Sequence, residues 1–296
     1  MNGVGYGKII LLGEHFVVHG ASAIAGGLSN TAVVEIKKSD KNMMLTEQVV
    51  VPENGIAAME RILKSMEISQ NYQATLTGNL PTYGGLGSSA AFCVGVVRAI
   101  AAENMLRLKD DEVNKHAYEG EKAFHGNPSG IDNIMATYGG LIEFKRGKEK
   151  PDFKKLSISK PIDFVVTFTG KYSPTSKMVA LVQKLKDDDP EQFAELFDEY
   201  LEIFKDGKHC LEKGKLQELG KLMNANHSLL SELGVSDELN EKINKIALGS
   251  GALGAKVTGG GGGGCSIALA KDSEHAQKIA EVLNKNKFHS FCTKIG

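Results

Sequence analysis

The stretch Pro81–Phe92, PTYGGLGSSAAF, places three glycines and two adjacent serines directly before a long apolar helical pattern, Ala90 to Met105. Glycine lets the backbone turn tightly and approach an anion closely. A helix start that follows such a loop offers unpaired N–H groups and the positive end of a macrodipole. Ser88 and Ser89 add hydroxyls able to cap the helix, touch a phosphate oxygen or ligate a hard cation. Nucleotide phosphates are the natural guests of this cradle, although a lone glycine-rich loop is also compatible with an ordinary capped helix start.

Two further glycine-rich elements strengthen the phosphate reading. HGNPSG spans His125–Gly130, and TGGGGGGC spans Thr258–Cys265. Six consecutive glycines suit neither helix nor strand interior, because each loses extra backbone entropy on folding. A flexible linker is the competing reading of that run. The apolar, strand-like AKV before it and SIALA after it favour a loop clamped between two strands.

With 296 residues the chain is long enough for two domains. A content of 42% hydrophobic and 24% charged residues belongs to a globular protein. The net charge of −1 argues against nucleic-acid binding through a general basic field. Cys93, Cys210, Cys265 and Cys292 are scattered without a CxxC pair, so neither zinc ligation nor a disulfide framework is indicated. The apolar run before Glu14 is too short for a signal-peptide core, and no spanning helix is predicted. The expectation is a cytoplasmic protein with no membrane or nucleic-acid partner.

Along the chain, Lys8–Leu12 reads as a buried strand delivering Gly13, Glu14 and His15 at its end. Phe16–Val18, Ala32–Lys37, Gln48–Val51, Tyr72–Thr77, Gly139–Phe144 and Phe164–Thr169 read as further strands. Helical spacing is present at Asn54–Met66 and Lys109–Phe124, then at Lys177–Leu185, Pro190–Phe204, Leu216–Leu230 and Asp237–Leu248. A strand–glycine loop–strand unit, a helix at Ser273–Asn284 and a strand at Ser290–Lys294 close the chain. The charged, Pro-containing segment Arg146–Pro161 suggests a division into residues 1–158 and 159–296, mixed α+β followed by a helix-rich part.

Phosphoryl transfer needs a cradle, a magnesium ligand, a group that positions or deprotonates the attacking hydroxyl, and nearby positive charge. Glu121 and Asp132 flank HGNPSG, whose Asn-Pro and Gly form a turn able to bring both carboxylates into one pocket. One could bind Mg²⁺ while the other faces a substrate hydroxyl. Glu121 is equally compatible with a solvated helix face, and Asp132 with a turn residue. Lys8 could neutralise charge on a phosphoryl group or snorkel to solvent. Neither a Walker A sequence nor the protein-kinase HRD and DFG set is present, and the early glycines precede the first predicted strand instead of following it as in a dinucleotide fold.

Three segments together resemble the motifs of the GHMP kinase superfamily, in the expected order and from end to end of the chain. GKIILLGEHFVVHG (Gly7–Gly20) resembles motif one, PTYGGLGSSAAF motif two, and KVTGGGGGGC (Lys256–Cys265) motif three. EGEKAFHGNPSGIDN (Glu119–Asn133) is similar to the segment carrying the magnesium ligand and the catalytic aspartate. The resemblance implies a two-domain α+β fold, with an N-terminal domain like ribosomal protein S5 domain 2 and a ferredoxin-like C-terminal domain, ATP and substrate meeting in the cleft. It further implies Asp132 as catalytic base or orienting group with Lys8 beside it. Ser89 and Glu121 would hold Mg²⁺, and Pro81, Gly84, Gly85, Leu86, Gly87, Ser88, Ser89 and Ala90 would form the nucleotide loop. Glu14, His15, Ser176, Thr258 and Gly259 would face the substrate.

The continuation FVVHG after GEH points within the superfamily to ATP-dependent phosphorylation of (R)-mevalonate to 5-phosphomevalonate. Sister reactions on phosphomevalonate, a sugar or homoserine stay open, as does a non-catalytic nucleotide or sugar sensor on the same scaffold. A homodimer is implied by analogy. Two positions depart from the usual pattern: Phe92 stands where many relatives carry Tyr, and Ser176 where Thr is more usual.

Overall fold

The computed structural model describes residues 1–46, 53–82, 84–126, 128–147 and 151–296. The strand expected at Gln48–Val51 lies outside the described residues. Two compact units divide the chain: Met1–Lys8, Gly27–Thr82 and Gly87–Gly139 form the first, and Ile9–Gly26, Tyr83–Leu86 and Gly140–Gly296 the second. The division is interleaved in sequence, and within the second unit Ser22–Gly26 pairs with Leu141–Lys145.

The first strand, β1 (Asn2–Leu12), begins well before the predicted Lys8 and contains the early glycines. They are there because β1 lies against a helix backbone. A Cβ at Gly3 would stand 2.0 Å from the Gly95 carbonyl oxygen, and one at Gly5 2.0 Å from that of Ala91. Every second residue must lack a side chain for that approach. β2 (Ser22–Lys38) runs for 17 residues, and in the first unit its Ala32–Lys38 half pairs antiparallel with β4 (Tyr72–Gly78). β3 (Met43–Thr46) adds to β4 in parallel. The helices are α1 (Glu53–Ser65), α2 (Ser88–Glu103), α3 (Asp110–His125) and α4 (Ile131–Tyr138). From Ala90 to Ala101 α2 is apolar except at Arg98, which donates to the Val4 and Thr137 carbonyls and to Asp110, and the helix packs against α1, α3 and α4. α4 occupies a stretch to which the sequence reading assigns no element, beyond a turn role for Asp132.

In the second unit, Phe16–His19 is a short 3-10 turn, not the expected strand. His15 (φ 63°) and Gly20 (φ 101°) bracket it in the left-handed region, and Val17 N–H bonds back to the Gly13 carbonyl at 3.1 Å. β5 (Leu141–Lys145) pairs antiparallel with Ser22–Gly26 and with β6 (Asp152–Leu156), a lysine-bearing strand inside the charged segment taken from sequence as the place of a domain boundary. β7 (Ile162–Phe168) leads into α5 (Thr175–Asp188), α6 (Pro190–Lys213), α7 (Leu216–Glu232) and α8 (Glu238–Gly249). β8 (Gly254–Thr258), β9 (Cys265–Leu269), α9 (Ser273–Lys285) and β10 (His289–Ile295) complete the chain. The antiparallel order β10-β7-β9-β8 is the ferredoxin-like arrangement expected from the sequence. α9 packs on β7 and β10, and α8 on β8 and β9, around Ile243, Ile279, Leu283 and Val165. Cys93, Cys210 and Cys265 are buried and Cys292 is exposed. No helix among the described residues is long and apolar enough to cross a membrane.

Candidate active site

In the first unit, Lys8 and Asp132 come together. The Lys8 Nζ lies 3.1 Å from Asp132 Oδ1, the lysine nearly enclosed and the carboxylate one-third open. Lys8 sits inside a strand whose neighbours Ile9, Leu11 and Leu12 are fully buried, so its ammonium cannot reach solvent and takes a counter-charge instead. Asp132 stands in the first turn of α4, after Gly130 in a left-handed conformation, where the helix dipole favours a negative charge.

Glu121, on α3, is 1% exposed. Burial pushes its carboxyl up to about 7, and the negative charge of Asp132 adds to the rise, while the Ser89 hydroxyl and the Lys8 charge oppose it. Its Oε1 is buried with no hydrogen-bond partner among the described residues. Ser89 Oγ lies 3.3 Å from His125 Nε2, which is 3.9 Å from Glu121 Oε2. A buried carboxylate with an unsatisfied oxygen beside a hydroxyl is a hard oxygen donor set, of the kind that suits Mg²⁺. His125 opens the HGNPSG segment, yet sequence reasoning gave it no role.

The N-cap of α2 is Gly87 (φ 73°), and no side chain caps the helix. Ser88 and Ser89 are its first helical residues, not caps, so the first-turn N–H groups keep their capacity for an anion. A Cβ on Gly87 would meet the Lys8 Cγ at 3.0 Å, so glycine is what brings this loop down onto the lysine stem. Ser88 also borders a cavity lined by Leu76, Thr77, Gly78, Leu80 and Thr82. Ala90 is buried, Pro81 half-buried, and Phe92 packs edge-to-face on Phe124 with 2% exposure. The hydroxyl missing from Phe92 would thus enter an apolar interior.

The second unit gathers a different set. The Glu14 carboxylate and the Lys256 ammonium form an ion pair with neither side chain accessible, and Lys256 also donates to the Val257 carbonyl at 2.7 Å. Glu14, which the resemblance implies faces the substrate, is paired with Lys256. Thr258, expected likewise, spends its hydroxyl on Ile10, accepting from its N–H at 2.9 Å and donating to its carbonyl at 3.1 Å. His15 Nε2 lies 3.0 Å from the Gly260 carbonyl, which fixes the proton on that nitrogen and leaves Nδ1 a buried acceptor without a partner among the described residues. Burial lowers His15 to about 4, so it is neutral at neutral pH. Ser176 is exposed in the first turn of α5, and the adjacent Thr175 lies against Gly260. Gly259 is half-buried at the start of the glycine run (φ 82°), Gly84 and Leu86 are buried, and Gly85 is open.

Lys256 was missed at the sequence level, although a lone lysine within the apolar AKV strand was a usable signal. Tyr200 was missed too: its ring stacks on Phe16 at 4.4 Å and its hydroxyl donates to the Ser22 carbonyl at 2.6 Å, which braces the motif-one turn.

Residues 54–140 match the family described as GHMP kinases N terminal domain, and residues 208–289 match GHMP kinases C terminal. A mevalonate kinase of Thermococcus gammatolerans is 33% identical over 307 residues, covering 92% of this chain and 90% of the relative. The chain belongs to the GHMP kinase family. Among solved GHMP kinases, the L. major mevalonate kinase in complex with R-mevalonate superposes with a TM-score of 0.93 at 36% identity, covering 100% of this chain and 95% of the other. The Methanococcus jannaschii mevalonate kinase gives 0.86 at 27%, covering 100% and 98%.

Proposed function

We propose that this GHMP kinase transfers the γ-phosphoryl group of ATP to the primary hydroxyl of mevalonate. The single observation that carries the chemistry is the Lys8–Asp132 ion pair beside buried Glu121 and the uncapped start of α2. The named relatives supply the substrate. Asp132 receives the hydroxyl proton or aligns the hydroxyl for attack, and Lys8 stabilises negative charge as it shifts onto the transferring group. Gly85, Gly87 and Ser88 cradle phosphate through backbone N–H groups. Glu121 and Ser89 would hold Mg²⁺, which supplies charge neutralisation on the phosphates. His15, Ser176 and Gly259 are the candidates for substrate selection. Glu14 and Thr258 act at one remove, by holding the backbone of the motif-one turn and of β1.

The test is ADP release in a coupled assay with ATP, Mg²⁺ and, in turn, mevalonate, phosphomevalonate, galactose and homoserine. Mevalonate turnover is expected, and Asp132→Asn should keep ATP binding while losing roughly 10²-fold or more in rate. Turnover of another substrate alone, or an unchanged Asp132→Asn rate, overturns the reading.

A further inference from the structure

Five of the six residues of the glycine run, Gly259 and Gly261 to Gly264, hold positive φ. A polyglycine segment has no side chains to lock such a shape, and the entropy lost in fixing it is large. Its shape is imposed from outside. Gly262 N–H donates to the Val235 carbonyl at 2.8 Å, Gly264 N–H to the Lys171 carbonyl at 2.9 Å, and the Gly264 carbonyl accepts from Thr169 N–H at 2.9 Å.

Gly263 is held by one side chain. Asn240 Oδ1 accepts from Gly263 N–H at 3.1 Å while Asn240 Nδ2 donates to the Gly263 carbonyl at 3.1 Å. The same Nδ2 donates to Ser266 Oγ at 3.2 Å, and Oδ1 also accepts from Asp237 N–H at 3.4 Å. The carboxamide is fully buried with both donors and both acceptor sites occupied. It is fixed in its turn by Asp237, which caps α8 through Leu239 and Asn240 N–H groups and pairs with Lys171 Nζ at 2.9 Å.

Only a primary amide of this length satisfies both the N–H and the carbonyl of Gly263. Aspartate would face the Gly263 carbonyl and Ser266 with oxygen in place of a donor. Leucine would strand both groups of Gly263 in the interior, where an unpaired polar group is costly.

Resting on the kinase reading above, we propose that Asn240 is a positioning residue for phosphoryl transfer: it touches no substrate, and turnover depends on it because it sets the shape of the motif-three loop. The first turn of α8 is thereby part of the catalytic apparatus, though its GVSDELN sequence carries no motif.

The test uses the full chain with Asn240→Asp, and with Ser266→Ala as a milder variant that removes a single partner of the amide. Amide hydrogen exchange across residues 260–264 is read without ligands, alongside kcat and KM for mevalonate. Asn240→Asp, folded by its melting curve, should exchange these amides at least about tenfold faster and lose roughly 10²-fold in kcat/KM, the scale of a misplaced active-site wall. Should that variant fail to fold, Ser266→Ala should show the same direction at smaller size. Wild-type exchange in a folded variant overturns the proposal, and so does faster exchange with unchanged kcat and KM. Failure of the kinase reading is separate: the unsubstituted protein would then turn over no mevalonate, whatever its exchange pattern.

Discussion

Glu14 and Lys256 form an ion pair that water cannot reach from either side. The carboxylate comes from the turn that ends β1, the ammonium from β8, and burial drives the lysine pKa downward while the carboxylate alone opposes that drift. Breaking one member of such a pair strands a charge in the interior, at a cost of about 3–5 kcal/mol, whereas removing both can be nearly neutral. Glu14→Leu and Lys256→Met should each destabilise by about that amount, and the double variant by clearly less than their sum. Urea unfolding of the four proteins measures this. Strict additivity would show that the two charges do not depend on one another.

Glu121 predicts a pH dependence of stability. Its carboxyl is raised from 4.5 to about 7 in the folded chain, so between those values the folded state holds a proton that the unfolded state has released. Stability therefore falls as pH rises from about 4.5, with the loss complete above about 7 and at most about 3 kcal/mol in size. Thermal unfolding without metal should show Glu121→Gln gaining over the wild type at pH 8 and little at pH 5. Added Mg²⁺ with nucleotide should narrow the gap at pH 8. Parallel pH curves for the two proteins would contradict this account.

His15 works in the opposite direction. With its pKa depressed to about 4 by burial, it is neutral in both states above about 6.5 and contributes its full stability there. Acidification from about 6.5 to 4 protonates the unfolded chain first, and up to about 3 kcal/mol is lost. His15→Gln should flatten the acid limb of the stability curve over that window. An acid limb identical to that of the wild type would mean that His15 is not the buried titrating group.

Lys8→Met keeps most of the volume of the stem against Gly87 while deleting the charge beside Asp132. The rate should fall roughly 10²-fold or more with the fold retained, as expected for loss of one preorganised charge at the reacting group. Lys8→Arg should recover only part of it, because the planar guanidinium does not replace a compact ammonium. Single-turnover rates with saturating ATP and mevalonate distinguish these outcomes, and a Lys8→Met rate near wild type would remove Lys8 from the chemistry.

What the sequence made readable was the local chemistry. Glycines before an apolar run pointed to a phosphate cradle at the start of α2, while the Lys8–Asp132 pair, 124 residues apart, was implied by the motif resemblance and not by anything local. What it hid was pairing over long distance. Ala32–Lys37 was legible as a strand from its β-branched residues, but the preceding Ser22–Gly26 is small and glycine-containing, and its strand character comes from pairing with distant Leu141–Lys145. Gly3 and Gly5 looked like loop residues because nothing local reveals a helix backbone lying on them. Ile131–Tyr138 received no element because the Pro128 and Gly130 turn signals just before it drew the reading. The substrate roles of Glu14 and Thr258 came from the motif resemblance alone; their partners in the fold, Lys256 and the backbone of Ile10, are distant in the chain and invisible to local reading.

Ile10 and Thr258 are 248 residues apart, yet they share two hydrogen bonds. Thr258 can reach Ile10 only when a loop of that span has closed, whereas the pairing of β1 with β2 closes a far shorter one. Assembly order follows from the difference: β1 seats on its sequence neighbour first, and the threonine latch at its far end comes later.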